Sequence, residues 1–106
     1  MDMSLRSLKL RQIDTALEPF RSLRTVHAPA KGWLSEVRRA LVMSGAQLGQ
    51  RLGITRQAVS SLEHAEAGGS ITLKSLRRAA DALQCDLVYA LVPRESLETL
   101  LDTQAQ

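Results

Sequence analysis

Gly53 separates two short amphipathic stretches, and this arrangement constrains the fold more than any other feature of the chain. Glycine adopts a left-handed backbone at a helix end without a Cβ clash, so a sharp turn is predicted at Gly53 and Ile54. Ser44 before the first stretch and Thr55 before the second can each accept a backbone N–H, as N-cap residues do. We therefore predict two short helices, the second over residues 56 to about 65.

The residues at which these two helices cross are small, and their neighbours are apolar. Gly49 and Ala58 allow a close approach. The residues expected to fix the crossing angle are Leu48, Leu52, Val59 and Leu62. Two short helices around a glycine-centred turn form a helix-turn-helix, whose second helix enters the major groove of DNA. Residues 44–65 are therefore predicted to bind double-stranded DNA.

Helical spacing of apolar residues also predicts helices on both sides of this motif. The first runs from about Ser4 to Leu17, where Pro19 disfavours a simple continuation. Trp33 begins the helix before the motif, and Thr72 caps the helix after it. We predict an all-α bundle with three parts: an N-terminal helical arm and connector (1–30), a helix-turn-helix domain (31–84) and a C-terminal segment (85–106).

The C-terminal segment begins with a continuous apolar run that ends at Pro93. Its residues are Leu87, Val88, Tyr89, Ala90, Leu91 and Val92. Such a partly β-branched run is typical of a buried β-strand. Because one strand cannot pair its own backbone groups, its copy in a two-fold dimer is the simplest partner. We therefore predict one strand that pairs across a homodimer, followed by a short helical tail.

Composition argues against several classes of function. A chain of 106 residues is the size of one domain, and it has no glycine-rich phosphate loop and no acid–base pair at a catalytic spacing. We expect neither enzyme activity nor a cofactor. The single cysteine, Cys85, excludes an internal disulfide, and no Cys and His cluster has metal-ligand spacing. Without an apolar run of about 20 residues or an export signal, no membrane association is expected and cytoplasmic residence is predicted.

The segment QLGQRLGITRQAVSSLE, residues 47–63, resembles the XRE family of phage-repressor and Cro-type regulators. The resemblance implies a lambda-repressor-like helix-turn-helix bundle. Together with this motif, residues 31–33, 75–80 and 87–93 resemble the family called mobile mystery protein A. Members of that family are typically encoded beside a Fic-domain protein, mobile mystery protein B. The resemblance covers most of the chain.

The XRE resemblance assigns roles to six residues. It implies base-edge contacts for Arg56, Gln57 and Ser61, and groove-wall or backbone contacts for Thr55, Ser60 and Gln47. The chemistry agrees, because arginine pairs with guanine and glutamine with adenine through two hydrogen bonds. The sequence departs from the family at Gly45, where many relatives carry a polar phosphate contact, and at Gly49, where alanine is usual.

Some assignments stay open at this point. Arg51 is the basic residue best placed to contact a phosphate. His64 contacts the DNA backbone or is an ordinary exposed histidine. The stripe from Leu5 to Phe20 belongs to an internal core, to an arm exchanged in a dimer or to a helix that binds a partner.

The function predicted from the sequence is transcriptional regulation. The chain is expected to be an autorepressor that binds a palindromic operator as a homodimer. The alternative is an antitoxin-like protein that binds and controls a Fic-domain partner.

Overall fold

The computed structural model describes residues 4–105, and these residues form six α-helices, one 3-10 helix and no β-strand. The α-helices are α1 (Leu5–Leu17), α2 (Trp33–Ala40), α3 (Gly45–Leu52), α4 (Arg56–Ala67), α5 (Leu73–Ala82) and α6 (Leu97–Gln104). The 3-10 helix, Glu18–Thr25, directly follows α1. The all-α prediction is confirmed. The first three residues of the predicted arm and the last residue of the predicted tail lie outside the described residues.

The described chain divides into two compact units. Residues 27–88, the central unit, contain α2 to α5. Residues 4–26 and 89–105, the terminal unit, contain α1, the 3-10 helix and α6.

Each helix of the central unit contributes to one apolar core. The buried cluster consists of Leu34, Leu48, Val59, Ala79 and Leu83. Leu48 and Val59 are each only 1% exposed, as the predicted inward stripe requires. Burial of such a side chain contributes about 1.5–3 kcal/mol to stability. The core therefore fixes α3 and α4 against α2 and α5.

The four helices of the central unit end in the same way. A residue with positive φ follows each of them: Val42, Gly53, Gly69 and Gln84. The N–H of the next residue then returns to a carbonyl five residues earlier, as Ile54 does to Gly49 at 2.9 Å and Cys85 does to Ala80 at 2.9 Å. This is the Schellman motif, which satisfies the last carbonyls of a helix. Two of the four positions are occupied by glycine.

The terminal unit is held together by a polar clasp. α1 packs against the 3-10 helix and against α6. The carboxylate of Asp14 accepts the N–H of Leu97 at 3.0 and 3.1 Å, at the start of α6. Asp14 also pairs with Arg21 at 3.3 Å, and Arg21 donates to the carbonyl of Pro93 at 3.5 Å. The side chains of Asp14 and Arg21 thus join α1 and the 3-10 helix to the segment from Pro93 to Leu97.

The strand predicted for Leu87–Val92 is wrong for the single chain. These residues have no regular secondary structure, and Val88 and Leu91 are 66% and 87% exposed. A strand exists only when its N–H and C=O groups pair with a neighbour, and no second strand lies among the described residues. A continuous apolar run was therefore not sufficient to predict a buried strand.

Candidate nucleic-acid interface

The turn between α3 and α4 depends on two glycines. Gly53 adopts φ 70° and ψ 31°, a left-handed conformation that side chains disfavour. A Cβ at Gly49 would stand 2.6 Å from the carbonyl oxygen of Ile54, so only glycine fits there with the present backbone. The predicted sharp turn and the small residue at the crossing are confirmed. The departure from the usual alanine at position 49 has a physical cause, because the turn backbone approaches α3 too closely for a methyl group.

Side-chain caps fix the starting points of both helices. The hydroxyl of Ser44 accepts the N–H of Gln47 at 3.0 Å, while the Gln47 side-chain oxygen accepts the N–H of Ser44 at 2.7 Å. This reciprocal capping box begins α3. At the start of α4, the hydroxyl of Thr55 accepts the N–H of Ala58 at 3.0 Å. Both caps predicted from the sequence are confirmed.

An ion pair joins α4 to α2 on the inner side of the interface. The Arg38 guanidinium donates to both carboxylate oxygens of Glu63, at 2.6 and 3.0 Å, and to the carbonyl of Met43 at 2.9 Å. Both side chains of the pair are only 12% exposed. The hydrogen bond to Glu63 raises the pKa of Arg38, with a further contribution from the charge of Glu63. Arg38 is therefore charged and engaged within the fold rather than free to contact a phosphate.

A second carboxylate of α4 caps α2. Glu66 accepts the N–H of Trp33 at 3.0 Å and that of Leu34 at 2.9 Å. α2 has no capping side chain of its own, because its N-cap residue is Gly32. Glu63 and Glu66 thus hold α4 to α2 on the face that also buries Val59. Sequence reasoning missed both roles, since nothing local marks a cap supplied by a distant residue.

All eight residues predicted to contact DNA are exposed. They are Gln47 and Arg51 on α3, Thr55 at the start of α4, and Arg56, Gln57, Ser60, Ser61 and His64 on α4. At 100° per residue, the exposed residues of α4 occupy one side of the helix and Val59 the other. The structure thus gathers five of these side chains on the solvent face of a helix whose opposite face is fixed.

The surroundings of three of the eight residues, Arg51, His64 and Arg56, differ from one another. Arg51 donates to the carbonyl of Ala82 at 3.0 Å, so its guanidinium is bound at the end of α5. The ring of His64 lies 2.8 Å from the carbonyl oxygen of Ser60, one turn earlier in α4. Arg56 lies over the start of α3, where a Cβ at Gly45 would stand 3.3 Å from its Cγ. Arg51 is therefore the one of these three whose guanidinium is bound by the carbonyl at another helix end.

A basic groove follows one flank of α4. It has a volume of about 520 Å³ and is bordered by α2 and α4. The basic residues that line it, besides the paired Arg38, are Lys31, Arg39, Arg56 and His64. Positive charge beside a helix with exposed hydrogen-bonding side chains suits the phosphates that flank a DNA groove.

Neither a metal-ligand group nor a membrane-spanning helix is found in the part of the chain that the structure describes. Residues 4–105 contain no group of three or more His, Cys, Asp or Glu that could hold a metal ion. Within the same residues, no helix combines the length and apolar character needed to cross a bilayer.

Comparison with known proteins identifies the same segment as the geometry does. The sequence model of a family described as helix-turn-helix matches residues 34–89, which contain all of α2 but its first residue and the whole of α3, α4 and α5. The comparisons with curated proteins and with solved structures return no match.

Proposed function

The chain belongs to the XRE-type helix-turn-helix family of DNA-binding regulators, and from this premise we propose that it is a cytoplasmic, sequence-specific repressor. In this proposal α4 enters the major groove, and the operator is a palindrome that lies in the promoter of the repressor's own operon. The observation that carries the proposal is the pairing of an exposed polar face on α4 with a buried, doubly anchored opposite face.

Rigidity is what makes this face suitable for reading bases. Base discrimination requires donors and acceptors held at fixed positions, because a wrong base must leave a hydrogen-bonding group unpaired. The caps at Ser44 and Thr55 fix the helix starts, and Glu63 and Glu66 fix the inner face. Exposed side chains on such a helix can form bonds to base edges without a rearrangement of the fold.

The side chains divide into readers and positioning groups. We assign Arg56 to guanine, Gln57 to adenine and Ser61 to a weaker base contact, each bidentate pair contributing about 1–3 kcal/mol of discrimination. Thr55 and Ser60 contact the groove wall, and Gln47 contacts the backbone. The side-chain oxygen of Gln47 accepts the backbone N–H of Ser44, so in this proposal the side-chain NH₂ of Gln47 donates to the phosphate.

Arg51 and His64 complete the proposed set as phosphate contacts at the edges of the interface. Arg51 must first leave the carbonyl of Ala82. Its contribution is therefore expected to be smaller than that of a free arginine.

A homodimer determines how many half-sites the operator has and how far apart they lie. Two copies place two α4 helices on one side of the duplex, with half-sites about 34 Å apart, one turn of DNA. The segment Leu87–Val92 supports this arrangement, because its exposed apolar residues Val88, Tyr89 and Leu91 and its unpaired backbone are available to the same segment of a second copy.

The direct test is selection of binding sites from a random DNA pool, followed by Gln57→Ala. We expect the variant to lose preference at one base position in each half-site while keeping its nonspecific affinity. Gln12→Ala, an exposed glutamine of α1, is the matched control and is expected to change neither property. An equal loss on all sequences would contradict the assignment of α4 as the reading helix.

The alternative is an antitoxin-like protein that binds and controls a Fic-domain partner. The observation that favours it is the exposed apolar surface of the terminal unit, where Leu5 is 85% exposed. Co-expression of the full chain with the product of the adjacent reading frame tests it. A stable complex of defined stoichiometry supports this function, and both roles can reside in one protein.

A further inference from the structure

The terminal unit lacks a core of its own. None of its described residues is buried, whereas the central unit buries an apolar cluster. Its exposed large apolar residues are Leu5, Leu8, Ile13, Leu23, Val26, Tyr89, Leu91 and Leu100. This unit therefore leaves eight large apolar side chains exposed and has no fully buried side chain among its described residues.

A unit without a buried core needs another surface against which its apolar side chains can pack. Ordering a residue costs about 1–2 kcal/mol of backbone entropy, and burial of apolar area is the main term that offsets it. Small folded units bury the smallest fraction of their surface, and below about 40 residues they usually need disulfides, metals or association. The unit contains no cysteine. Association is the means that its own exposed apolar side chains offer.

The charges of α1 and α6 indicate which kind of partner would cover the terminal unit. α1 carries Arg6 and Lys9 one turn apart, and α6 carries Glu98 and Asp102 one turn apart. None of these four residues has an ion-pair partner within residues 4–105, although α1 and α6 pack together in the chain. Lys9 shares its helix face with Leu5 and Ile13, four residues before and after it. The basic face of α1 is thus also apolar.

We propose that a second copy of this chain covers the terminal unit, with α1 of each copy against α6 of the other. The inference deepens the dimer of the proposed function and rests on it for the two-copy assembly. A two-fold axis makes the contact reciprocal, so the basic pair of each copy meets the acidic pair of its partner. Apolar residues of α1 are buried at the same time. Tyr89 and Leu91 belong both to the terminal unit and to Leu87–Val92, the segment proposed to pair with its copy.

The hydrogen bonds of Asp14 and Arg21 within each copy hold α1 and α6 side by side. Asp14 holds the start of α6 through the N–H of Leu97, and Arg21 ties Asp14 to the carbonyl of Pro93. α1 and α6 are thereby presented together before the copies meet. The variants that test the proposal leave Asp14 and Arg21 unchanged.

The test uses two charge-reversed full-length chains. Arg6→Glu with Lys9→Glu makes α1 acidic, and Glu98→Lys with Asp102→Lys makes α6 basic. We expect the unchanged protein to sediment as two copies of the 11.6 kDa chain. Each variant alone should dimerise about 100-fold more weakly, because like charges then face each other. Arg11→Glu, on the opposite side of α1 from Arg6 and Lys9, is the control and should dimerise normally.

Mixing the two variants separates contact between copies from contact within a chain. In a mixed dimer both reciprocal contacts join opposite charges, so the pair should form a heterodimer as tightly as the unchanged protein. Within either single chain the repulsion between α1 and α6 persists and mixing cannot relieve it. Failure to form the heterodimer, or an unchanged protein that is monomeric at micromolar concentration, would overturn the proposal. DNA selectivity of α4 on a single half-site tests the proposed function independently.

Discussion

The carboxylate of Glu66 occupies the space where a side chain at Gly32 would begin. A Cβ built on Gly32 stands 2.5 Å from Oε1 of Glu66, and the backbone there has φ 83°. The same carboxylate caps α2 through the N–H groups of Trp33 and Leu34. Two features therefore favour glycine at position 32: its positive φ, and the absence of a Cβ that would collide with the capping carboxylate of Glu66.

Gly32→Ala should therefore lower stability more than the positive φ alone explains. Gly69→Ala is the matched control, because Gly69 has φ 80° and no atom within 4 Å of its built Cβ. We expect the control to lose about 1–2 kcal/mol from backbone strain. Gly32→Ala should lose about 1–2 kcal/mol more, since Glu66 must then leave the helix end. Urea denaturation measures both, and equal losses would show that Glu66 moves aside without cost.

The two helix ends without glycine give the opposite prediction. Val42 has φ 54° and Gln84 has φ 58°, and Val42 is also 89% exposed. A β-branched residue is especially unfavourable in this conformation. Val42→Gly and Gln84→Gly should each stabilise the protein, by about 1 kcal/mol, with the larger gain at Val42. A rise in the urea midpoint with an unchanged slope checks this. A fall at either position would mean that its side chain makes a stabilising contact.

Local features were predictable from the sequence because their physics is local. Ser44, Thr55 and Thr72 each cap a helix through the N–H three residues later, and Gly53 adopts the expected left-handed turn. A small residue at Gly49 was expected from the helix crossing, and in the structure it is the backbone of the adjacent turn that leaves no room for a Cβ. These interactions involve residues close in the chain, so the pattern of residue types was enough to find them.

Interactions between distant residues left no such pattern. The caps supplied by Glu66 to Leu34 and by Asp14 to Leu97 span 32 and 83 residues. Whether an arginine is free also depends on tertiary packing, and the Arg51 bond to the carbonyl of Ala82 could not be read from its exposed position beside the turn. The strand predicted at Leu87–Val92 is absent from the single chain for a related reason, because an apolar run does not indicate which surface it packs against.

The ion pair between Arg38 and Glu63 is expected to stabilise the packing of α4 against α2. Arg38→Met leaves the Glu63 carboxylate largely buried without its partner and should cost about 3 kcal/mol or more. Replacing both, as Arg38→Met with Glu63→Leu, should cost clearly less, because no charge is then left unpaired. Chemical denaturation of the two single variants and the double variant gives the coupling energy. A double variant as unstable as the sum of the singles would exclude direct coupling.

Arg56 and Gly45 should be coupled in DNA binding. A Cβ at position 45 would stand 3.3 Å from Cγ of Arg56, an exposed side chain that can shift by a few tenths of an ångström. Gly45→Ala should therefore leave the fold intact or slightly more stable, since alanine suits a helix better. Because Arg56 is displaced, the Gly45→Ala variant should bind the selected operator about 5–10-fold more weakly, a change in binding free energy of about 1 kcal/mol.

A double-mutant cycle identifies the cause of that loss. If Gly45 acts by positioning Arg56, then Gly45→Ala should cost nothing further in an Arg56→Ala background. Selectivity at the base read by Arg56 should fall in both single variants, while thermal stability should fall in neither. If Gly45→Ala lowers operator affinity equally with and without Arg56, position 45 instead contacts the phosphate backbone directly. Glycine at position 45 would then be needed because a Cβ would block the DNA from the start of α3.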